Sequence, residues 1–286
     1  MKVNKIILPF IILLLTLFSG EPSLAVEAVP SGNNGDRLML KVGGSEVLSL
    51  YHHSQTARLD GGVILLHDQG ARPDWPGVIQ TLRRGLPLYG WSTLSIEMPA
   101  LGGASKTSSQ VLKQWSEMVP ARIDAALEEL KARKITNIVL IGHGVGALAA
   151  ADYMIKKPSE QIQGLIAIGM DGSQTEDKQV DGSLLLRKFQ KPIFDLYGSR
   201  DLESVVGSAS RREQTAISVE LGKKAVHLRA ADIAKSFNQK RAKELSYRQH
   251  RFEGADHQFR GYEKQLLRRV VGWLRRYAAI ADINSR

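Results

Sequence analysis

The segment GHGVG at residues 142–146 has the spacing of a catalytic turn but lacks the reactive residue. The pattern G-x-S-x-G places a nucleophilic serine at a sharp turn between a strand and a helix. Here an apolar, β-branched run at 137–141 precedes the glycines, and a helical pattern at 145–157 follows them. The central position holds Gly144, so the sequence predicts a strand-to-helix turn with no serine to carry an acyl group.

Polar residues also follow three other strand-like runs of the chain. They are His67-Asp68-Gln69-Gly70, Gly198-Ser199-Arg200-Asp201 and Gly254-Ala255-Asp256-His257. Ligands of open parallel sheets collect at the carboxyl ends of the strands. These three clusters and the glycine turn are therefore the candidate sources of catalytic and binding residues.

The elements that would position these clusters alternate along the chain. Strand-like runs fall at 38–42, 46–51, 63–66, 92–96, 137–141, 164–168, 192–197 and 247–252, and helical patterns at 78–86, 110–133, 145–157 and 258–277. This alternation predicts an α/β fold with a mostly parallel, doubly wound sheet. Gly43 and Gly44, between the first two runs, predict an antiparallel N-terminal hairpin.

Two stretches depart from the alternation. Residues 171–190 are polar, show no convincing element and are too short to form a folded lid, so we expect no large lid domain. A lipase that acts at an oil surface is therefore disfavoured. Residues 202–245 are alanine-rich and basic, and they predict one or two extra helices inserted into the domain.

The order glycine turn, Asp201, His257 along the chain is the nucleophile–acid–histidine order of the α/β hydrolases. The mature sequence resembles that superfamily over essentially its whole length. The segments HDQGARPDWPG and FDLYGSRDL are similar to a family of exported bacterial proteins of unknown function within it. The resemblance implies that Asp201 is the acid and His257 the base. It further implies that backbone amides near Asp68 or Gln69 and at Val145 form an oxyanion hole.

Each of these residues also has a plainer interpretation. Glycine-rich turns of this kind also cradle phosphates or permit close packing, and an aspartate after a glycine turn is often a helix cap. His67 and His143 are expected to shape loops, with ligand contact as the alternative. The other histidines show no metal-ligand spacing, and we expect neither a metal nor a cofactor.

The N-terminus predicts export. Lys2 and Lys5 precede an apolar run at 6–18, and small residues lead to Ala25, which is the pattern of a signal peptide cleaved after that residue. The alternative is an uncleaved membrane anchor. We expect a signal peptide at 1–25, a flexible lead-in at 26–37 and a single domain at 38–286, with the insertion at about 202–245. The expected location is the bacterial periplasm.

Composition narrows the possible chemistry. The chain has no cysteine, which excludes disulfides, thiol catalysis and cysteine metal sites. Its net charge of +10 arises after residue 222, where 16 Lys and Arg stand against 6 Asp and Glu. An excess of one sign in one segment favours anionic partners. We expect an anionic surface of the cell envelope as a partner, with an ordinary solvated helix face as the alternative, and no nucleic acid because the protein is predicted to be exported.

Two functions compete on these observations. The favoured one is a non-catalytic or strongly impaired ligand-binding or scaffold protein, whose ligand is an unknown small molecule or an acyl or glycan group. The alternative is a hydrolase of ester-like substrates in which His257, oriented by Asp201, activates water directly. A phosphate-binding loop is disfavoured because no Lys-Ser or Lys-Thr follows the glycines. Under either function, Gly144→Ser is expected to create esterase activity that depends on His257.

Overall fold

A computed structural model describes residues 35–100, 107–172, 182–225 and 247–278. Within these ranges, eight strands form one sheet in the order β1-β2-β4-β3-β5-β6-β7-β8. The strands are β1 (Asp36–Val42), β2 (Ser45–His52), β3 (Gly61–Leu66), β4 (Trp91–Ile96), β5 (Ile138–His143), β6 (Ile162–Ile168), β7 (Ile193–Arg200) and β8 (Tyr247–Asp256). The predicted signal peptide, its cleavage site and residues 226–246 of the basic insertion lie outside the described residues.

Helices connect most of the strands. They are α1 (Val78–Gly85), α2 (Ser108–Ala132), α3 (Val145–Lys156), α4 (Gly182–Lys188), α5 (Glu203–Ala225) and α6 (Glu263–Tyr277), and a short 3-10 helix (Leu86–Tyr89) follows α1. Among the described residues, no helix is both long and apolar enough to cross a membrane.

The sheet confirms the predicted fold class. Strands β3 to β8 run parallel to one another, whereas β1 pairs antiparallel with β2, and β2 antiparallel with β4. Gly43 and Gly44 connect β1 to β2 with φ of 53° and 83°. Two successive residues with positive φ are what a tight hairpin turn requires.

Two layers of helices cover the sheet. Because side chains of a strand alternate between faces, Val63 and Leu65 of β3 pack with α1 and α6, whereas Ile64 and Leu66 pack with α2 and α3. Every residue of β3 is buried, as expected of a central parallel strand covered on both faces. This packing fixes the carboxyl ends of the central strands, where the polar clusters lie.

The structure differs from the predicted elements in several places, including the ends of β7 and β8, which lie three and four residues later than predicted. Helix α4 lies within the stretch predicted to have no element. The helix is stabilised by the burial of Leu185 and Leu186, and Phe189, which directly follows it, is buried as well. Helix α6 begins at Glu263 rather than 258, after a turn in which Phe259 has φ of 56°. Residues 36 and 37, which the sequence assigned to the flexible lead-in, already pair with β2.

Candidate active site

The glycine turn lies between the end of β5 and the start of α3. Gly144 has φ of 56° and ψ of −123°, a combination that glycine adopts at little cost and other residues only with strain. Two positions later, a Cβ on Gly146 would lie 2.4 Å from the carbonyl oxygen of Leu66. These glycines let α3 begin directly against the end of β3, which brings the Asp68 loop close to the turn.

The carboxylate of Asp68 fills the space into which a side chain at position 144 would project. An ideal Cβ on Gly144 would lie 2.2 Å from Asp68 Cγ, and 2.3 and 2.5 Å from its two carboxylate oxygens. Asp68 comes from the loop after β3 and not from the turn itself. The turn therefore has an acidic group at the position of its missing side chain.

Two backbone amides and one imidazole hold this carboxylate. The N–H groups of Val145 and Gln69 both donate to Asp68 Oδ1 at 2.8 Å. Asp68 Oδ2 lies 3.1 Å from His257 Nε2. The two amides named in the oxyanion-hole prediction thus converge on one acceptor, but that acceptor is the side chain of Asp68.

His257 also contacts Asp201, on the other side of its ring. His257 Nδ1 lies 2.5 Å from Asp201 Oδ1, and the Leu202 N–H donates to the same oxygen at 2.7 Å. The side chain of Asp201 is fully buried, whereas those of His257 and Asp68 are 14% and 17% exposed. The structure therefore brings together Asp68, His257 and Asp201 as one hydrogen-bonded row, which we call the Asp-His-Asp array.

The charges of this array follow from its contacts. Burial disfavours a charged imidazole, but the hydrogen bonds to Asp201 and Asp68 outweigh it and raise the pKa of His257 to about 10. Burial likewise opposes ionisation of Asp68, but the bond to His257, the proximity of His143 and the Val145 amide lower its pKa. At neutral pH a protonated His257 therefore lies between two carboxylates.

His143 and His67 contact the residues of the array and hold them in position. The His143 ring stacks on that of His257 with 4.5 Å between centroids, and its Nε2 donates to the His257 carbonyl oxygen at 2.9 Å. His67 Nδ1 donates to the Asp68 carbonyl oxygen at 2.7 Å, and its Nε2 accepts from the Met98 N–H at 2.9 Å. Burial lowers the pKa of each ring to about 4, so both are neutral.

Three of these side chains could bind a metal ion. Ligand atoms of Asp68, His143 and His257 lie within 4.8 Å of one another. Nitrogen and oxygen ligands of zinc lie about 2.0–2.2 Å from the ion, which places any two of them at most about 4.4 Å apart. A metal ion would also have to displace the proton on His257 Nε2. The array as it stands is better suited to proton transfer than to metal binding.

The side-chain role of Asp68 could not be assigned from sequence alone. The sequence points only to the backbone amide near Asp68, because the resemblance places an oxyanion-hole loop after β3. One signal was present in the chain: an acidic residue in that loop together with a glycine at the turn. The spatial overlap of the two positions follows from the fold and not from their separation of 76 residues.

Comparison with known proteins supports the fold. The model of the family described as a protein of unknown function, DUF3530, matches residues 33–110 and 102–221. An α/β serine hydrolase without lid from Xanthomonas campestris is 16% identical, with a TM-score of 0.56 over 88% of this chain and 98% of that chain. The esterase domain of a Rhodothermus marinus protein is 13% identical, with a TM-score of 0.57 over 85% of this chain and 99% of that chain.

A plant enzyme shares a shorter segment. The 1-acylglycerol-3-phosphate O-acyltransferase of Arabidopsis thaliana is 32% identical over 88 residues, which are 29% of this chain and 19% of that protein. The chain spans about a fifth of the length of the curated relatives that it matches. The solved structures support an α/β-hydrolase fold without a lid domain, as predicted.

Proposed function

The chain belongs to the DUF3530 family within the α/β-hydrolase superfamily, and we propose that it is a hydrolase whose nucleophile is Asp68. One observation carries the proposal: the Asp68 carboxylate fills the space at Gly144 while bonded to the Val145 amide and to His257. Carboxylates serve as nucleophiles in covalent catalysis, and an ionised one is needed. The lowered pKa of Asp68 meets that requirement.

The position of the amides favours a substrate with a reactive saturated carbon over an ester. Attack on an ester carbonyl creates an oxyanion on the substrate, which must be stabilised by donors. The amides of Val145 and Gln69 already bind Asp68 Oδ1. Attack on a saturated carbon creates no such oxyanion, so an alkyl halide or an epoxide suits this arrangement better.

In the first step, Asp68 Oδ2 attacks the saturated carbon. A carbon–oxygen bond forms, the bond to the leaving group breaks, and its electron pair departs with the halide or with the epoxide oxygen. His257, protonated at rest, can give its proton to an epoxide oxygen or, after halide loss, to solvent. The product is a neutral ester of Asp68 beside a neutral imidazole.

In the second step, His257 acts as the base. Esterification removes the negative charge of Asp68, one of the two interactions that raise the pKa of His257. The neutral ring, oriented by Asp201, takes a proton from water, whose oxygen attacks Asp68 Cγ. The oxyanion then forms on Asp68 Oδ1, where the Val145 and Gln69 amides donate. The alcohol leaves with the proton from His257, and the carboxylic acid that remains gives its proton to His257, which regenerates the carboxylate and the protonated ring.

A ligand-binding protein without catalysis is the second candidate. The observation that favours it is that Asp68 occupies both amides and the imidazole at rest, so that every polar group of the array already has a partner. Direct activation of water by His257 is less well supported, because a protonated ring has no lone pair with which to accept a proton.

A hydrolysis assay separates the two candidates. We expect the protein to hydrolyse members of a panel of bromoalkanes and epoxides, and Asp68→Asn to reduce the rate on the order of 10³-fold or more. The matched control is Glu253→Gln, which removes an exposed carboxylate that pairs with Arg251 and not with His257. In water labelled with heavy oxygen, a single turnover should place the label in Asp68. Binding of panel compounds without turnover would instead support the ligand-binding candidate.

Export remains part of the proposal. The basic start, the apolar run at 6–18 and the small residues before Val26 support cleavage after Ala25 and release into the periplasm. Sequencing the N-terminus of protein from a periplasmic fraction should give Val26. Recovery of the intact chain in the membrane fraction would support the anchor instead.

A further inference from the structure

A second polar site lies at the opposite end of β7 and β8. Phe194 and Arg248 are the second residues of these strands, whereas Asp201 and His257 follow their carboxyl ends. Asp201 lies seven positions after Phe194, which corresponds to about 23 Å along an extended strand. The two sites are therefore independent, and the inference below does not rest on the proposed hydrolase activity.

Helix α6 borders this site with a basic exposed face. Leu266, Leu267, Val270 and Leu274 bury one side of the helix against the sheet. The exposed residues on the other side include Lys264, Arg268, Arg269, Arg275 and Arg276. Clusters of four to eight basic residues on an amphipathic helix are typical of proteins that bind anionic lipid surfaces.

Two adjoining cavities run between this face and the start of β8. Their volumes are about 370 and 260 Å³, and both are lined by Phe194, Arg248 and Arg269. Arg268, Gly272 and Arg276 complete the walls of the smaller one. We call this depression, lined by Arg248, Arg268, Arg269 and Arg276, the arginine trough.

The guanidinium groups of the trough lack carboxylate ion-pair partners within the part of the chain that the structure describes. Among the described residues, no Asp or Glu forms an ion pair with Arg268, Arg269 or Arg276, although Glu213 lines the larger cavity. Elsewhere, Arg83 pairs with Asp74, and Arg212 with Asp195. The Arg248 guanidinium donates to the Tyr277 hydroxyl, which fixes its direction. Burial and the nearby Arg269 lower the pKa of His250, which lines the same trough.

Gly272 lies on the exposed face between the two arginine pairs of α6. A Cβ at this position would meet no atom within 4 Å, so packing does not require glycine there. Glycine inside a helix costs about 0.5–1 kcal/mol relative to alanine. The missing side chain leaves an open space at the centre of the arginines, large enough for an anion to approach their guanidinium groups.

We propose that the arginine trough binds the phosphate groups of anionic lipid headgroups at a membrane surface. Guanidinium groups form paired, charge-assisted hydrogen bonds with phosphate oxygens, which favours arginine over lysine at such sites. The concave shape suits a headgroup, and the basic face of α6 is complementary to the surrounding anionic surface. Bound in this way, the protein would keep the array, at the other end of the strands, open to solvent.

Sedimentation with lipid vesicles tests the trough. The full chain is mixed with vesicles of phosphatidylcholine alone or with added phosphatidylglycerol, at low and high salt. We expect binding to the anionic vesicles that weakens with salt. At about 1 kcal/mol per basic residue, the triple variant R268Q/R269Q/R276Q should bind about 100-fold more weakly. The control R37Q/K41Q/K113Q removes three exposed charges elsewhere and should bind nearly as the unchanged protein does.

A second pair of variants distinguishes a loss of lipid binding from a loss of folding. Gly272→Glu places a carboxylate among the arginines and should abolish binding, whereas Gly272→Ala, which meets no neighbour, should retain it. Equal losses in the trough and control triples, or equal binding to both kinds of vesicle, would overturn the proposal. So would protection of the trough by inorganic phosphate from arginine-specific modification without any vesicle binding, because the ligand would then be a free anion.

Discussion

Two polar clusters that contain acidic side chains lie near the two ends of β7: the Asp195 cluster (Asp195, Arg212, Tyr247 and Gln249) and the Asp-His-Asp array. They differ in the groups that neutralise the acids. Near the start of the strand, Asp195 accepts hydrogen bonds from Arg212 at 2.8 Å, from the Tyr247 hydroxyl at 2.6 Å and from Gln249 at 3.0 Å. The side chains of Asp195 and Arg212 are fully buried. Beyond the end of the strand, Asp201 and Asp68 share the single imidazole of His257.

The partner determines what each cluster can do. Arginine keeps its charge at every physiological pH, so Arg212 is a permanent counter-ion for Asp195 and the buried pair stabilises the packing of this region. Histidine can gain or lose a proton, and its charge here depends on whether Asp68 is charged. The array is also partly exposed, so a substrate could reach it. Strongly perturbed titratable groups in such surroundings are candidates for function, which distinguishes the array from the Asp195 cluster.

The largest effect on stability is expected in the Asp195 cluster. Arg212→Met should lower the free energy of unfolding by about 3–5 kcal/mol, because it leaves a buried carboxylate without its cation. Asp68→Asn keeps the shape of a partly exposed side chain and should lower it much less. Urea denaturation of both variants, with Arg37→Met as an exposed control, measures the difference. Equal losses in the first two variants would mean that the array is as structural as the Asp195 cluster.

The pH dependence of stability should come from the array. The pKa of His257, about 10 in the folded chain, lies above its ordinary value of 6.5, so the bound proton stabilises the fold. This stabilisation is complete below about pH 6.5 and lost as the pH rises through about 10. Its size is on the order of a few kcal/mol. Asp68, whose pKa is lowered, contributes stability above about pH 3.8 that is lost in acid.

Denaturation curves recorded from pH 6 to 10 check this expectation. The unchanged protein should lose more stability over that range than His257→Asn, which has no titrating ring. Parallel curves for the two proteins would show that His257 is not held as a cation. Such a result would mean that the array, like the Asp195 cluster, adds no pH dependence to the free energy of unfolding over this range.

The smallest effect is expected at the glycine turn. Gly144→Ser should destabilise the fold by about 1–3 kcal/mol, because serine is strained at φ of 56° and its Cβ collides with Asp68. Because of this collision, we expect that Gly144→Ser alone creates no esterase activity, in contrast to the expectation from sequence. Adding Asp68→Gly clears the space and frees the two amides, so the double variant should hydrolyse an activated ester. Esterase activity in Gly144→Ser alone would contradict the role assigned to Asp68.

The fold could be predicted because local patterns of apolar and polar residues along the chain indicate its strands and helices. Apolar runs such as that of β3 and the order of the polar clusters identified the sheet and the edge at which they meet. Helix α4 was missed because its buried leucines are few and lie among polar residues. Element ends at β7 and β8 were placed too early, since polar residues that continue a strand resemble a loop.

The site could be predicted only in part, for a physical reason. The approach of His257 to Asp201 follows from the ends of β7 and β8 being neighbours. The overlap of Asp68 with the space at Gly144 depends on side-chain direction and on the close approach of α3 to β3. The spacing of residues along the chain does not indicate how close Asp68 comes to Gly144.

The central claim is that Asp68 forms a covalent ester, and trapping that ester tests it most directly. His257→Gln removes the base needed for ester hydrolysis but leaves the Asp68 carboxylate and both amides in place. We expect this variant, after treatment with a bromoalkane or an epoxide that the unchanged protein hydrolyses, to carry one added group on the peptide that contains Asp68. His257→Gln combined with Asp68→Asn should carry none, as measured by mass spectrometry of protein digests. Turnover by the unchanged protein without any adduct on Asp68 in His257→Gln would contradict the account.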